Sequence, residues 1–529
     1  MNGIATDTST TTTTVRPWPT SGRGMADSRR ATLRNALARF AAGAPARVFV
    51  LEGIDAPDAL DVLRLQPDIT LVDTPRSATV LLVAGRLPDA MHEPARRAHD
   101  AMAEPRATVW WTLPPGDGAM LPFPDASIVR AEPDGSPAAI ASLARMLVRT
   151  QRDLLCAARP SDLALLPDVD PAPWRGVGPF GQGGTGMTGG VPYGRPLALR
   201  ALDRDGLELD QLPVRVGPFF APFPAGLVLD VTLQGDVVQE AIVPGNAFVA
   251  SGEGGTPLRA TGGPFHKALG ESVRIADLER ARARHHLRWL AEALRVHGLD
   301  ALGHRTLALA VSLVDGVPGG AAGDVAALGR LLERTRGLGW ATADVGVVDP
   351  QLVTGRGLGP VARAAGLAED ARIEDTAYVE LGFAPVLQER GGDGGARRAA
   401  GDARARWRQR LGEAVQSLEL AERAGDRRTG GDGRPFEGVR GLVSSDAARD
   451  SPSTMLLALL PDLLRGQEWG DAVTTIVSLD IDVREAALAP GAAPLGPPPA
   501  PQPSGGIAGM PGMDAKSDHP QGDHAMEGM

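Results

Sequence analysis

The chain has 529 residues, long enough for about two or three domains that each bury a core of their own. Its formal net charge is −10 and its arginines and lysines are scattered, which excludes the basic stripe that nucleic-acid binding requires. Its single cysteine, Cys156, excludes an internal disulfide and any site that needs two or more thiolates from this chain.

Residues 28–155 are predicted to form a small α/β domain. The β-branched runs A-R-V-F-V-L, D-I-T-L-V and A-T-V-L-L-V-A-G alternate with helix-like stretches such as M-H-E-P-A-R-R-A-H-D-A-M. This alternation is typical of a largely parallel sheet with covering helices. The preceding residues 1–27 are rich in Thr and Ser, and that composition predicts disorder.

A glycine-rich connector is predicted over residues 156–200. Within its run G-P-F-G-Q-G-G-T-G-M-T-G-G, Gly181, Gly183 and Gly186 spell the G-x-G-x-x-G fingerprint of dinucleotide-binding loops. That fingerprint works only between a strand and a helix, because the helix N-terminus and free backbone N–H groups hold the pyrophosphate. Prolines interrupt the sequence on both sides. The pattern therefore favours an irregular connector, and we expect no nucleotide binding.

Residues 201–487 are predicted to form a mainly helical domain that opens with antiparallel strands. R-D-G-L-E-L-D-Q-L-P-V-R-V-G-P and G-L-V-L-D-V-T-L-Q-G-D-V-V-Q-E-A alternate apolar and polar residues, as strands of a half-exposed sheet do. From Ile275 the apolar period becomes helical, with helices predicted in 275–294, 323–335 and 403–422. Residues 488–529, rich in Pro, Gly and Ala, are predicted to be disordered.

Short motifs within Arg76–Arg106 carry a family resemblance. They are Val83-Ala84-Gly85, Met91, Pro94 and Glu104-Pro105-Arg106. These residues fall where the B subunit of respiratory complex I and the small subunit of energy-converting nickel-iron hydrogenases have V-A-G, M, P and E-P-R. The stretch therefore resembles that family, and the resemblance implies a flavodoxin-like α/β fold of the hydrogenase small-subunit type.

The second domain resembles the partner subunit, which is the D subunit of complex I or the hydrogenase large subunit. That family's pattern G-D-x-x-x-R-x-x-x-R-x-x-E-x-x-Q-S-L is matched without a gap by Gly401-Asp402, Arg406, Arg410, Glu413 and Gln416-Ser417-Leu418. Thr354–Gly366 and Leu464–Ile481 resemble two further segments of the family. The resemblance implies a large-subunit fold, fused behind the B-type domain on one polypeptide.

The iron-sulfur cluster that the B-type resemblance implies lacks its ligands in this sequence. The family holds the cluster with four cysteine thiolates, because cluster iron requires soft anionic sulfur. The corresponding stretches Leu51–Asp58, Leu113–Gly118 and Ala131–Pro137 contain no cysteine. Cys156 lies on a predicted helix and is expected to be a buried apolar thiol. We therefore expect no cofactor held by this chain alone.

Two carboxylates stand where the hydrogenase branch has its C-terminal nickel thiolates. The family sequence S-I-D-P-C-x-x-C corresponds here to Ser478–Glu485, so Asp482 and Glu485 replace the two cysteines. Carboxylates bind hard cations, which makes both residues candidate metal ligands. Arg484 lies beside them, and this charge pattern favours a structural ion pair instead.

The residues that the resemblance implies for quinone reduction are also replaced. The D-type family presents a histidine in its first hairpin, a tyrosine soon after, and an aspartate on the helix that follows S-H-L-x-W-L. Here the hairpin loop 217–226 contains no histidine, the tyrosines are Tyr193 and Tyr378, and the aspartate position is Arg295. These changes remove the proton donors that quinone reduction would use.

Arg282 and His286 remain as candidates for a retained catalytic, redox-linked role. His286 aligns with the histidine of S-H-L, and Arg282 lies one helical turn before it. The adjacent His285 and the many arginines of this helix favour a different interpretation, in which His286 is a solvated or partner-facing residue.

The C-terminal tail carries side chains that suit copper. Thioether sulfur and imidazole are soft and borderline ligands, and the tail supplies Met510, Met513, Met526, Met529, His519 and His524. The same composition also fits a merely solvated end.

These patterns predict a non-catalytic or coupling peripheral subunit of a membrane-bound complex I-like or hydrogenase-like assembly. We expect it in the cytoplasm, associated with the inner face of the cell membrane, since the chain has no apolar run of about 18 residues and no signal peptide is evident. The expected partners are integral membrane subunits and other peripheral subunits, not nucleic acid. Two alternatives stay open: an oxidoreductase subunit relaying electrons with cofactors of partner chains, and copper handling through the tail.

Overall fold

The computed structural model describes residues 42–54, 60–112, 126–130, 137–157, 199–203, 206–249, 263–388, 401–444, 451–489 and 491–498, with residues 36, 37, 40, 56 and 123. Contacts divide the chain into two compact units, one of residues 1–164 and 213–498 and one of residues 165–212 and 499–529. Among the helices in the described ranges, none combines the length and the hydrophobicity of a membrane span. The predicted disordered segment 1–27, the run 178–190 and residues 499–529 of the predicted disordered tail 488–529 lie outside the described residues. Disorder was the wrong prediction for residues 491–498, because the backbone there binds the rest of the unit: Asn246 N–H donates to the carbonyl of Ala493, and Gly496 N–H to that of Pro244, both at 3.0 Å.

The larger unit begins with a five-stranded parallel sheet. Its strands are β1 (Ala46–Glu52), β2 (Ile69–Leu71), β3 (Val80–Ala84), β4 (Ala107–Thr112) and β5 (Ser127–Arg130), in the order β2-β1-β3-β4-β5. The central strand β3, V-L-L-V-A, is buried at every residue, as a strand covered on both faces requires. The predicted parallel α/β sheet is confirmed.

Helices and short 3-10 turns accompany this sheet: the 3-10 segments Leu60–Leu65 and Pro75–Ser77, helix α1 (Asp89–Asp100) and helix α2 (Pro137–Cys156). One face of the sheet, including Val48 and Leu82, packs in a cluster with Leu143 and Leu147 of α2. The alternate residues of the strands join a larger cluster that extends into the helical domain. Cys156 ends α2 and is exposed, so the expectation of a buried thiol was wrong.

Antiparallel strands precede the helical region, as predicted. They are β6 (Leu199–Leu202), β7 (Glu208–Val216), β8 (Leu229–Gln234) and β9 (Val237–Ile242). In the smaller unit β6 pairs with the first part of β7, and in the larger unit β8 and β9 form a hairpin. Gly235, at φ +63°, supplies the left-handed backbone of its two-residue turn.

The rest of the larger unit is mainly helical. Its elements are α3 (Pro264–Gly270), β10 (Val273–Arg274), α4 (Ile275–Val296), α5 (Asp300–Ser312), α6 (Ala321–Thr335), α7 (Gly337–Thr342), α8 (Pro350–Val353), α9 (Pro360–Ala364), a 3-10 turn (Ala371–Glu374), α10 (Thr376–Glu380), α11 (Ala403–Ala424), β11 (Arg428–Thr429), β12 (Phe436–Glu437), β13 (Leu442–Val443), α12 (Pro452–Leu464), α13 (Trp469–Leu479) and α14 (Val483–Ala486). The three predicted amphipathic helices correspond to α4, α6 and α11. Helices α4 and α11 are the longest of those described, at 22 residues each, and pack along one another.

Candidate functional site

The facing sides of α4 and α11 carry buried ionisable side chains at helical spacing. They are Glu279, Arg282 and His286 on α4, and Arg406, Arg410 and Glu413 on α11. Spacings of three and four residues place each set on one face of its helix. A buried charge is costly unless it is paired and hydrogen-bonded, so the arrangement of partners decides what this site can do.

The glycine and aspartate that open the D-type pattern, Gly401 and Asp402, both have structural roles at the start of α11. Gly401 adopts φ +89°, and a Cβ there would lie 2.5 Å from the carbonyl oxygen of Val348. Asp402 caps α11, accepting a backbone N–H of its first turn at 2.7 Å. Arg406 then donates to the carbonyl of Gly401 at 2.6 Å and to Ser478 Oγ at 2.7 Å. Burial among such neutral oxygens lowers the pKa of Arg406 to about 9.

His286 lies between an arginine and a carboxylate. Its Nε2 is 3.1 Å from Glu413 Oε2, and its Nδ1 is 3.3 Å from Arg410 Nη1. Because arginine only donates, we assign the single proton to Nε2, which donates to Glu413. Burial, reinforced by Arg410, lowers the pKa of His286 to about 3, so the ring is neutral. The interpretation of His286 as solvated or partner-facing was wrong, since the side chain is buried against α11.

Arg282 is fully buried and anchors a neighbouring strand to α4. Its Nη2 and Nη1 donate to the backbone carbonyls of Glu437 and Gly438 at 2.7 and 2.5 Å, and its Nε is 3.4 Å from Glu279. The guanidinium also lies over the ring of Phe265. Arg282 and His286 thus share a helix face but bind different carboxylates.

Arg363 of α9 is the centre of the carboxylate cluster. Its Nε donates to Glu413 at 2.7 Å, and its Nη1 lies 2.8 Å from Glu437 and 3.0 Å from Asp370. Burial opposes the charged guanidinium, but Glu413, Glu437 and Asp370 outweigh it and raise the pKa of Arg363. This arginine stays charged, and it joins three separate segments of the chain.

A second cluster surrounds Glu279. Arg372 pairs with Asp370 through two hydrogen bonds of 2.9 and 2.7 Å and lies 3.2 Å from Glu279. Tyr378 donates its hydroxyl to Glu279 at 2.7 Å. Burial raises the pKa of Tyr378, and Glu279 adds to that effect. Tyr378 is therefore a buried structural donor.

Asp480 is the carboxylate that ties α13 to both long helices. It follows α13 with φ +57°, a conformation that Asp tolerates better than most residues. His285 Nε2 lies 2.7 Å and Arg410 Nη1 2.9 Å from its carboxylate, with Arg440 at 3.5 Å. Burial disfavours its charge, but His285, Arg410 and Arg440 hold the pKa of Asp480 well below its usual range.

Asp482 and Glu485, the two candidate metal ligands, are occupied by protein contacts. Asp482 caps α14, accepting backbone N–H groups at 3.0 and 3.3 Å, and lies 3.3 Å from Arg440. Glu485 accepts from Ser453 Oγ at 3.0 Å and lies 3.9 Å from Arg440. Burial, with Asp482 nearby, raises the pKa of Glu485. The cation beside both carboxylates is Arg440, which is distant in sequence.

Arg484 instead points to the α/β domain, so the sequence suggested the wrong arginine for this pair. It donates to Glu52 at 3.1 Å and to the carbonyl of Gly53 at 3.0 Å, where β1 ends. Gly53 has no room for a side chain, because a Cβ would lie 2.1 Å from the carbonyl oxygen of Arg86. A second pair, Arg288 with Asp61, adds two hydrogen bonds of 2.6 and 2.9 Å between the domains.

We call the following set the buried ion network: Glu279, Arg282, His285, His286, Arg363, Asp370, Arg372, Arg410, Glu413, Glu437, Arg440 and Asp480. Guanidinium groups and carboxylates alternate through it at the distances given above. Among the described residues no group of three or more His, Cys, Asp or Glu could hold a metal ion. His519 and His524 lie outside the described residues. The network neutralises charge and fixes helices to one another.

Much of this network was missed by reasoning from sequence alone. The spacing of Arg406, Arg410 and Glu413 along α11 was a usable signal, because it places three ionisable groups on one face of a long helix. Arg440 and Asp480 gave no comparable signal, since their partners lie far away along the chain.

No family model matches this chain, and no curated protein matches it. Chains of solved structures do match, and they include a chain from the membrane-bound sulfane sulfur reductase (MBS), an archaeal respiratory membrane complex. It shares 18% sequence identity with this chain at a TM-score of 0.36, and the similarity covers 53% of this chain and 98% of that chain.

Proposed function

We propose that this chain is a non-catalytic or coupling peripheral subunit of a membrane-bound assembly of the complex I or energy-converting hydrogenase kind. The segments that resemble the D-type family supply four residues of the buried ion network, including Asp480 of Leu464–Ile481. Thr354–Gly366 contributes Arg363, and Gly401–Leu418 contributes Arg410 and Glu413. The retained pattern therefore has a structural use, because these residues hold α9, α11 and the end of α13 together.

The observation that carries the non-catalytic part is the position of Arg440. Its guanidinium lies within 3.9 Å of Asp480, Asp482 and Glu485, where the resemblance implies a nickel site. Nickel in that family requires thiolates, and the donors here are carboxylates already bound to a cation and to the start of a helix. This donor set does not fit nickel.

The residues at the iron-sulfur site that the resemblance implies for the first domain also do not match the ligands that such a cluster requires. Among the described residues of Leu51–Asp58, Glu52 and Gly53 bind Arg484 of the helical domain. The chain's one thiol, Cys156, is exposed at the end of α2. A chain that holds such a cluster without ligands from a partner chain must supply four thiolates, and this chain has one cysteine.

The contacts between the two domains support a framework role. The apolar cluster that includes Leu81 and Val83 of β3 continues into Trp289 and Leu290 of α4. An apolar core of this kind, edged by the Arg484 and Arg288 ion pairs, resembles the interface of a permanent complex. Fusion of both folds into one chain would preserve the docking surfaces of such a complex after its metals were lost.

Two alternatives make different demands on the protein. An electron-relaying subunit would need a cluster or quinone from partner chains close to the buried ion network. Copper handling would need Met and His ligands from the tail, which lies outside the described residues. Neighbouring genes for membrane ion-pumping subunits favour either assembly role, whereas neighbouring copper-trafficking genes favour the tail.

Cell fractionation with crosslinking mass spectrometry tests the proposal. We expect the full chain in the membrane fraction and crosslinked to an integral membrane protein. High salt should release it only in part, because salt screens rim charges but not an apolar interface centre. A wholly soluble monomer without such crosslinks contradicts the proposal.

A further inference from the structure

An arginine-lined groove of about 880 Å³ lies between α6 and α11. Its floor is largely apolar and includes Leu411 and Val415. One edge carries Arg330 and Arg334, which are four residues apart on α6 and therefore point the same way. The opposite edge carries Arg408 of α11. The groove thus has an apolar centre beside a cationic edge on α6, while Glu333 offsets the charge of Arg408 on the other edge.

The charge of this groove is strongly unbalanced. A smaller pocket adjoins it, lined by Arg336, Arg404 and Glu333. Glu333, the one carboxylate in either lining, already binds Arg408 through two hydrogen bonds of 2.5 and 2.6 Å. Arg330, Arg334 and Arg336 make no ion pair with any residue that the structure describes. On a chain of net charge −10, this local excess of arginine creates a positive field that selects carboxylates.

The exposed apolar residue next to the groove is a tryptophan. Trp340 of α7 lines the adjoining pocket and is 72% exposed. Tryptophan and arginine are enriched in protein–protein interfaces, where they supply large contact areas and bidentate hydrogen bonds. Two other anionic ligands fit the groove less well. Inorganic phosphate would make no contact with the apolar floor, and a flat membrane surface cannot enter a groove between two helices.

We propose that the groove binds an acidic amphipathic helix of a partner protein. Apolar side chains spaced three and four residues apart lie on Leu411 and Val415, and carboxylates along one side of that stripe pair with Arg330 and Arg334. Arginine suits this task because its planar fork binds a carboxylate through two parallel hydrogen bonds. The inference rests on the proposed assembly role for its biological setting, but the binding itself requires no membrane.

Fluorescence anisotropy of a labelled peptide on the full-length chain tests the inference. The probe is a synthetic helical peptide of about 18 residues, with a leucine stripe flanked by glutamates. Two control peptides carry Lys in place of Glu, or Ser in place of Leu. The test variant is Arg330→Glu with Arg334→Glu. The matched control is Arg76→Glu with Arg305→Glu, which makes the same charge change at exposed sites on other elements.

We expect saturable binding of the acidic peptide to the natural chain and to the control variant. Binding to the Arg330→Glu/Arg334→Glu variant should be at least about tenfold weaker, and both control peptides should bind more weakly as well. Equal binding to both variants, or equal binding of the Ser peptide, overturns the inference. Binding of vesicles containing phosphatidylserine without binding of the peptide also overturns it, in favour of a lipid surface.

The proposed function and this inference fail separately. A chain that stays out of the membrane fraction but binds the acidic peptide through Arg330 and Arg334 contradicts the assembly at the membrane and supports the groove. A chain that is found in the membrane fraction but does not bind the peptide supports the proposed assembly and contradicts the proposed binding of an acidic helix in the groove.

Discussion

Arg363 and Glu413 form a buried ion pair in which the guanidinium Nε donates to Glu413 Oε1 at 2.7 Å, with neither side chain more than 1% exposed. The same carboxylate accepts from His286 at 3.1 Å and from Gln409 at 2.6 Å. Burial alone disfavours its charge, but Arg363 and His286 hold the pKa of Glu413 well below its usual value. Glu413 is therefore the anion on which this part of the network depends.

Glu413→Gln should lower the free energy of unfolding by about 3–5 kcal/mol, because it leaves Arg363 buried with less compensating charge. Chemical denaturation measures the loss. The matched control is Glu419→Gln, an exposed glutamate on the same helix, which should change stability by no more than about 0.5 kcal/mol. Equal stability of the two variants would show that Arg363 is sufficiently paired by Glu437 and Asp370.

Two carboxylates five residues apart should respond in opposite ways to neutralisation. Asp480→Asn removes a charge that two arginines and a hydrogen bond from His285 stabilise, so we expect a loss of about 3–5 kcal/mol. Folding raises the pKa of Glu485, so the folded chain stabilises the protonated carboxyl. The stabilisation that this residue contributes is therefore lost as the pH rises through its raised pKa. Glu485→Gln should therefore leave stability at neutral pH unchanged or raise it by up to about 1 kcal/mol.

Denaturation curves at about pH 7 measure both variants. Asn is also tolerated in the left-handed backbone of Asp480, so the first substitution tests charge and not conformation. A large loss in Glu485→Gln would mean that an ionised Glu485 pairs productively with Arg440.

His286 should make the protein less stable as the pH falls. The pKa of this side chain is about 3 in the folded chain and about 6.5 in the unfolded chain. Below about pH 6.5 the histidine is therefore protonated in the unfolded chain but stays neutral in the folded chain. The free energy of unfolding should fall by up to about 1.4 kcal/mol per pH unit from this residue. Stability measured between about pH 7 and 5 should show a shallower slope in His286→Gln.

The matched control for that slope is His304→Gln, an exposed histidine on α5 for which the slope should match that of the natural chain. An unchanged slope in His286→Gln would show that the buried ring takes up a proton in the native state.

Purified protein should contain no stoichiometric iron or nickel and show no iron-sulfur absorption. One exposed thiol cannot assemble a cluster, and Asp482 and Glu485 are held by Arg440, Ser453 and the start of α14. Elemental analysis and the visible spectrum measure this. About four irons per chain would restore an electron carrier and remove the basis of the proposed non-catalytic role.

The type and approximate bounds of several main elements were predictable from the sequence. β3 reads V-L-L-V-A and is a buried strand, and the apolar period of α4 and α11 gave helices close to the observed bounds. Periodicity predicts such elements because the side chains of one strand or helix face must meet a common environment. The single cysteine likewise bounded the metal chemistry, since a count of ligands does not depend on the fold.

The partners of the ionisable residues were decided only by the tertiary structure. The sequence placed Arg484 beside Asp482 and Glu485, but the fold turns Arg484 to Glu52 and brings Arg440 to the carboxylates. It also buries His286, which its arginine-rich neighbourhood suggested was solvated. Local spacing reports which face of a helix a side chain occupies, whereas ion pairing depends on which distant segment packs against that face, and that is set by the whole core.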